Sequence, residues 1–238
     1  MRRWQDGLSA VERQALTVYA QRSLHQARLD QAQSILSDGL RACTRPYVAC
    51  SFGKDSAVLL HLATALQPGI PVRFLRWTET EYLDRYDAVI AAWQERVPVL
   101  NLTILDLDRV SVDDAVRDRW QQVEQMAPTD GYLIGIRAEE SGERRMTLRT
   151  HGPVYRRVDG VWRIAPLAWW STWDIAAACL VYDLPLLDAY AADGMTTRTS
   201  SRVPRAAHGI RANAMVRLKA RDMAGYNALR ALYPHDVL

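Results

Sequence analysis

The pattern of apolar and polar positions divides the chain into a helical preface, an alternating middle and an aperiodic end. Over residues 9–42 apolar side chains recur at helical spacing through Leu16, Tyr19, Leu24, Leu29, Ile35 and Leu40, and Ser9 with Glu12 has the form of a capping box. Strand and helix patterns then alternate. The spacing predicts strand Tyr47 to Cys50, helix Ser56 to Leu66, strand Val72 to Leu75, helix Tyr82 to Arg96, strand Leu100 to Leu105, helix Val112 to Gln125 and strand Tyr132 to Ile136. Val154 to Val158 and Val161 to Ile164, joined by Asp159-Gly160, predict a hairpin, and Thr172 to Tyr182 a further helix. Residues 191–213 have no period and read as a loop, before a last helix over about Ala214 to Leu232.

Strands alternating with helices predict an α/β fold with a parallel sheet covered by helices on both faces. The expected organisation is a helical N-terminal segment at 1–45, a nucleotide-binding α/β domain at 46–190 and a basic C-terminal loop and helix at 191–238. In such sheets ligands sit beyond the carboxyl ends of the strands, where the loop at Ser51 and the turns at Trp77 and Arg137 should converge.

The chemistry concentrates in Ser51-Phe52-Gly53-Lys54-Asp55-Ser56, which lies where the first strand meets its helix. Gly53 lets the backbone approach an anion, and the N–H groups and dipole of the opening helix favour negative charge. Ser51 and Ser56 offer hydroxyl donors and Lys54 an ammonium. That ammonium stands out, because Lys occurs only at Lys54 and Lys219 while the other cationic positions are Arg. The loop is not a Walker A sequence, which needs a longer glycine-rich spacing before its Lys.

Composition narrows the class. The chain is 238 residues long, 49% hydrophobic and 24% charged, enough to bury one full core. It has no apolar run near the length of a membrane helix and no signal-peptide pattern after Met1, so a cytoplasmic protein is expected. Cys43, Cys50 and Cys179 form no C-x-x-C pair and no zinc spacing, and Cys50 and Cys179 sit in apolar runs as buried free thiols would. The five His show neither ligand nor triad spacing. Residues 196–238 carry eight Arg or Lys against two acids, which is +6 of a total of +3, so the basic character is in the tail and suits a polyanion.

The sequence SFGKDS resembles the PP-loop, of form S-[GF]-G-x-D-S, shared by ATP pyrophosphatases and phosphoadenylylsulfate (PAPS) reductases, and the resemblance extends to about residue 190. Gly135-Ile136-Arg137 with Ser141, Arg144 and Arg145 is similar to the family's G-[IV]-R-x-x-x-S-x-x-R segment, and Pro166 to Ile175 is similar to its P-L-x-D-W-[ST]-x-x-D-[VI] segment, with Trp169 in place of the family's Asp. Ser171 with Asp174 reads as a helix cap and the tryptophans as core. The resemblance implies ATP and Mg²⁺ as cofactors, Lys54, Asp55 and Arg137 as the catalytic set, and Asp55 as the metal contact. Ser51, Phe52, Gly53, Ser56, Trp77, Gly135, Ser141, Arg144 and Arg145 would line the nucleotide, with Trp77 stacking on the base.

Reductases of this family use a redox cysteine near the C-terminus, and no cysteine follows Cys179 here. The expected reaction is therefore cleavage of ATP to AMP and pyrophosphate, activating an acceptor for sulfur. This looks like the ATP-pyrophosphatase component of bacterial DNA phosphorothioation systems, with a cysteine desulfurase as sulfur donor and DNA or tRNA on the basic tail. A PAPS/APS reductase-like enzyme, a tRNA-thiolating enzyme and a non-catalytic nucleotide-binding scaffold remain as alternatives.

Overall fold

In a computed structural model of the chain, residues 3–77, 86–107, 128–196, 216, 218–220 and 222–232 are described. After a 3₁₀ turn at Trp4–Gly7 the elements are α1 (Ala10–Ala20), α2 (Ser23–Ala42), β1 (Pro46–Ala49), α3 (Lys54–Leu66), β2 (Val72–Trp77), α4 (Tyr86–Arg96), β3 (Leu102–Leu107) and β4 (Gly131–Ile134). A second 3₁₀ turn at Ala138–Glu140 leads to α5 (Gly142–His151), β5 (Val154–Arg156), β6 (Trp162–Ile164), α6 (Thr172–Val181), α7 (Asp188–Asp193) and α8 (Met223–Leu232). The helix expected at Val112 to Gln125 and most of the aperiodic segment lie outside the described residues.

The preface is two helices rather than one. Ser9 accepts from the Glu12 amide and Glu12 returns the bond, so the capping box starts α1 as its sequence demands. The helix stops at Ala20 because Arg22 takes extended backbone, and Gln26 donates to the Ala20 carbonyl left open by the break at 2.9 Å. This corner lets Leu16 and Ala20 on α1, and Leu29, Ile35 and Leu36 on α2, enter one core with the residues of β1 and α3.

Six strands form one sheet in the order β3-β2-β1-β4-β6-β5. All neighbours are parallel except the β5–β6 hairpin, whose turn is closed by the Arg157 amide on the Val161 carbonyl at 2.9 Å. Strand alternation sorts the two faces. Val48, Val72, Phe74, Leu133 and Ile164 join the large cluster with α1 to α4 and α6, whereas Tyr47, Ala49, Leu75, Leu105, Tyr132 and Ile134 form a second layer. Leu148 of α5 packs on that second side through Ile134 and Ile136. The sheet is therefore served from both faces, as the alternation predicts.

Parallel pairing fixes the site. Ala49 at the end of β1 is in register with Ile134 at the end of β4, so residues 50–53 and 135–137 leave the sheet side by side at its carboxyl edge. β4 ends two residues earlier than the pattern predicts, and the expected strand residues Gly135 and Ile136 belong to this exit segment.

Candidate functional site

At that edge the chain turns sharply into α3. Phe52 has φ +51°, the left-handed region that costs an L-residue about 1–2 kcal/mol, and Gly53 caps the helix without a side chain to fill its first N–H groups. The Phe52 ring holds the strained turn in place: it is fully buried, edge-on to Phe74 at 5.1 Å. The Phe52 ring is thus core packing under the loop.

The serines divide in role. Ser56 is buried, donates its hydroxyl to the Gly53 carbonyl at 3.0 Å and accepts from the Ser51 amide at 3.3 Å, with the Ser51 hydroxyl 3.2 Å away. Its proton is spent closing the turn, so the expected phosphate donor of the pair is reduced to Ser51, which is exposed.

The structure brings together the three residues expected to act. Lys54 is the first residue of α3, and its ammonium lies 3.1 Å from one oxygen of Asp55 while Arg137 Nε lies 2.5 Å from the other. Arg137 does not project toward solvent. It is 3% exposed, and its guanidinium also meets Glu139 at 2.9 Å and the Trp170 carbonyl at 3.3 Å. Gly135 is present for packing: a Cβ there would sit 3.0 Å from the Asp55 carbonyl carbon and oxygen, so β4's exit segment touches the first turn of α3 backbone to backbone.

Other expected contacts lie further out. Ser141 caps α5 by accepting from the Arg144 amide, Arg144 pairs with Glu140, and Arg145 donates to the Ala138 carbonyl at 3.3 Å. These three build the start of α5. Trp77 ends β2 at the same sheet edge, and its side chain lies outside the described residues.

Asp55 does not fit a resident metal site, since both oxygens are held by cations, and among the described residues no three acidic, His or Cys side chains cluster. The surroundings of the three cysteines disfavour the thiolate, although Cys43 is only partly buried. Burial pushes the Cys50 thiol up to about 12 and raises Cys179, while burial and the charge of Asp130 push Cys43 up to about 11.

Two features were not legible in the motifs. Tyr190 of α7 accepts the Lys54 amide at 3.0 Å across 136 residues, and its ring lies 5.8 Å from the Lys54 ammonium. Asp174, expected as a cap, is one, but it also anchors the preface. It accepts from Ser171 at 2.7 and 2.8 Å, His25 at 3.0 Å and Tyr19 at 3.1 Å. Burial alone would raise its pKa, yet these bonds outweigh it and hold the carboxyl below its ordinary value. Of the tryptophans, Trp170 is buried with Nε1 on the Arg28 carbonyl, but Trp173 is 53% exposed and is not core.

A cavity of about 750 Å³ opens elsewhere, lined by Val11, Gln14, Val18, Tyr19, Arg22 and Trp173. It offers one cation, Arg22, and mostly apolar walls, a poor match for a polyphosphate.

Comparison with known proteins places this loop. Residues 45–194 match the phosphoadenosine phosphosulfate reductase domain. The chain is 30% identical over 155 residues to a phosphoadenosine 5′-phosphosulfate reductase of Synechococcus, covering 58% of this chain and 66% of that protein. It is 31% identical over 135 residues to an adenosine 5′-phosphosulfate reductase of Mesorhizobium japonicum, covering 53% of each. The chain thus spans about half to two-thirds of the curated relatives it matches. In fold it is similar to the FMN adenylyltransferase of Candida glabrata, solved with FMN and an ATP analogue, at a TM-score of 0.56 and 19% identity, covering 80% of this chain and 71% of that one.

Proposed function

The chain belongs to the phosphoadenosine phosphosulfate reductase domain family, and from that premise we propose that it is an enzyme acting at the α-phosphate of an adenine nucleotide, cleaving ATP to AMP and pyrophosphate to activate an acceptor. The observation that carries this reading is the Lys54–Asp55–Arg137 cluster at the start of α3, in a chain whose three cysteines are poor nucleophiles.

In this reading the β- and γ-phosphates lie over the first N–H groups of α3, with Lys54 turning from Asp55 to the departing pyrophosphate. Arg137 keeps Asp55 in place and so positions Lys54 rather than gripping phosphate itself. An acceptor oxygen forms the new bond to the α-phosphorus as the bond to the pyrophosphate oxygen breaks. Mg²⁺ enters as MgATP, part of the substrate, and no step is assigned to a protein-held metal. The acceptor and the sulfur source stay open: a cysteine desulfurase as donor and DNA or tRNA as acceptor rest on the loop's resemblance and the basic tail, and none of the relatives named above is a DNA-modifying protein.

A second reading, sulfonucleotide reduction, is favoured by the curated relatives. It needs a thiolate, and the surroundings of Cys43, Cys50 and Cys179 disfavour one. One assay separates the two. Purified protein is given MgATP in one arm and phosphoadenylylsulfate with thioredoxin in the other, with DNA, tRNA or a desulfurase added in turn. AMP and pyrophosphate support the proposal, and Lys54→Ala lowers their release about ten- to a hundredfold. ADP and orthophosphate, or sulfite from the second arm alone, overturn it.

A further inference from the structure

Three well-formed helices in this chain take their N-caps locally: Ser9 caps α1, Ser141 caps α5 and Ser171 caps α6, each accepting a backbone N–H three residues on. Helix α3 differs. The α3 cap is Gly53, which has no side chain to accept one of the helix's first N–H groups, and what sets α3 apart is where its acceptor comes from. The N–H of Lys54 is filled instead by the phenol oxygen of Tyr190, brought from α7. Such a long-range substitute makes sense where a bare glycine cap is needed for a ligand, and where the orphan N–H would otherwise be buried without a partner in the free protein.

Resting on the ATP-site reading above, we propose that the Tyr190 hydroxyl occupies the position of a phosphate oxygen, and that the ligand's phosphate displaces it from the Lys54 amide. The ring is a second element of the same device. It stays under the Lys54 ammonium at 5.8 Å and holds that cation at the loop whichever oxygen the amide binds. Tyr190 is therefore a specificity residue. It admits a ligand whose oxygen is a stronger acceptor than a phenol, as a charged phosphate oxygen is, and resists a neutral hydroxyl or water.

Tyr190→Phe keeps the buried ring and removes the hydroxyl that competes for the Lys54 amide, so inorganic pyrophosphate and MgATP should bind about three- to tenfold more tightly, the worth of one neutral hydrogen bond to that amide no longer broken on binding. Adenosine, which has no phosphate, should bind as it does to the parent. Calorimetric titration of the parent, Tyr190→Phe and Lys54→Ala with each probe reads this directly. A second readout does not depend on affinity. With only two lysines in the chain, ¹⁵N-lysine labelling gives two backbone amide signals, assigned by Lys219→Arg. Tyr190→Phe and, in the parent, pyrophosphate should each shift the Lys54 signal and leave Lys219 in place. Unchanged or weaker pyrophosphate binding by a folded Tyr190→Phe overturns the proposal while leaving the ATP site standing. A parent protein that binds neither pyrophosphate nor MgATP overturns both.

Discussion

Gly135→Ala is the substitution that tests whether the loop is held by backbone contact rather than by its charges. A methyl group at this position would lie 3.0 Å from the carbonyl carbon and oxygen of Asp55 and 3.1 Å from the Ser56 nitrogen. Ordinary carbon contacts are near 3.5–4.0 Å, so the gap must widen by several tenths of an ångström. The neighbours are backbone atoms of the first turn of α3, with no rotamer to swing aside, so the helix start itself moves. Overpacking of this kind costs about 1–3 kcal/mol, which in a chain of this size lowers Tm by roughly 2–12 °C. On the proposed function the functional loss is larger than the stability loss suggests, because the displaced turn carries Lys54 and the N–H groups proposed to face phosphate, and a shift near 1 Å can cost about a hundredfold in rate. Thermal unfolding by circular dichroism and pyrophosphate binding by calorimetry measure the two effects separately. If Gly135→Ala melts with the parent and binds pyrophosphate equally well, the contact is not what positions the loop.

Arg137→Ala leaves Asp55 half-buried with Lys54 alone; Arg137 is 3% exposed, so breaking the pair should cost about 3–5 kcal/mol, a Tm drop that calorimetry would miss only if the site were wet. Phe52→Ala loses a buried ring worth about 3–5 kcal/mol at a left-handed φ, so Phe52→Gly should be the more stable of the two by about 1 kcal/mol; urea melts giving the opposite order would show that the turn is not strained. Asp174 has a lowered pKa, so its contribution is fully present above the unfolded value near 3.9 and is lost as pH falls through the lower folded value. Stability of the parent should therefore fall more steeply below about pH 4 than that of Asp174→Asn, and parallel urea midpoints across that range would count against the His25–Asp174–Tyr19 anchor.

Much of this architecture is written locally. The alternation of apolar runs with amphipathic ones is enough to place β1, α3, β2 and β4, and the position of SFGKDS between two of them puts the loop at the carboxyl edge. What local pattern cannot carry is commitment between distant groups. Arg137 reads as a phosphate contact because sequence shows its charge but not the Asp55 carboxylate and the Trp170 carbonyl around it. The corner at Gln21 and Arg22 is hidden because helical spacing on either side stays in phase with one core. Tyr190 had no signal at all: it sits in a short helix, 136 residues from the amide it holds, and only the absence of a Ser, Thr, Asp or Asn before Lys54 hints that α3 needs a cap from elsewhere.

On the proposed reading, the free loop contains substitutes for both properties of a phosphate. Asp55 supplies the negative charge that Lys54 and Arg137 require, and Tyr190 supplies an oxygen for the Lys54 amide. The reason follows from stability. A buried N–H without an acceptor costs about 1–3 kcal/mol and a buried cation without a partner more, against a net stability of about 5–15 kcal/mol for a domain. A cradle shaped for an anion must either be exposed or carry stand-ins while empty, and Lys54 at 5% exposure rules out the first course. Binding is then an exchange of internal partners for external ones, which rewards a ligand with more charge and more oxygens than the stand-ins offer. A polyphosphate chain meets that requirement, and it does so where the loop's own hydrogen bonds, spent between Ser51, Gly53 and Ser56, need not break.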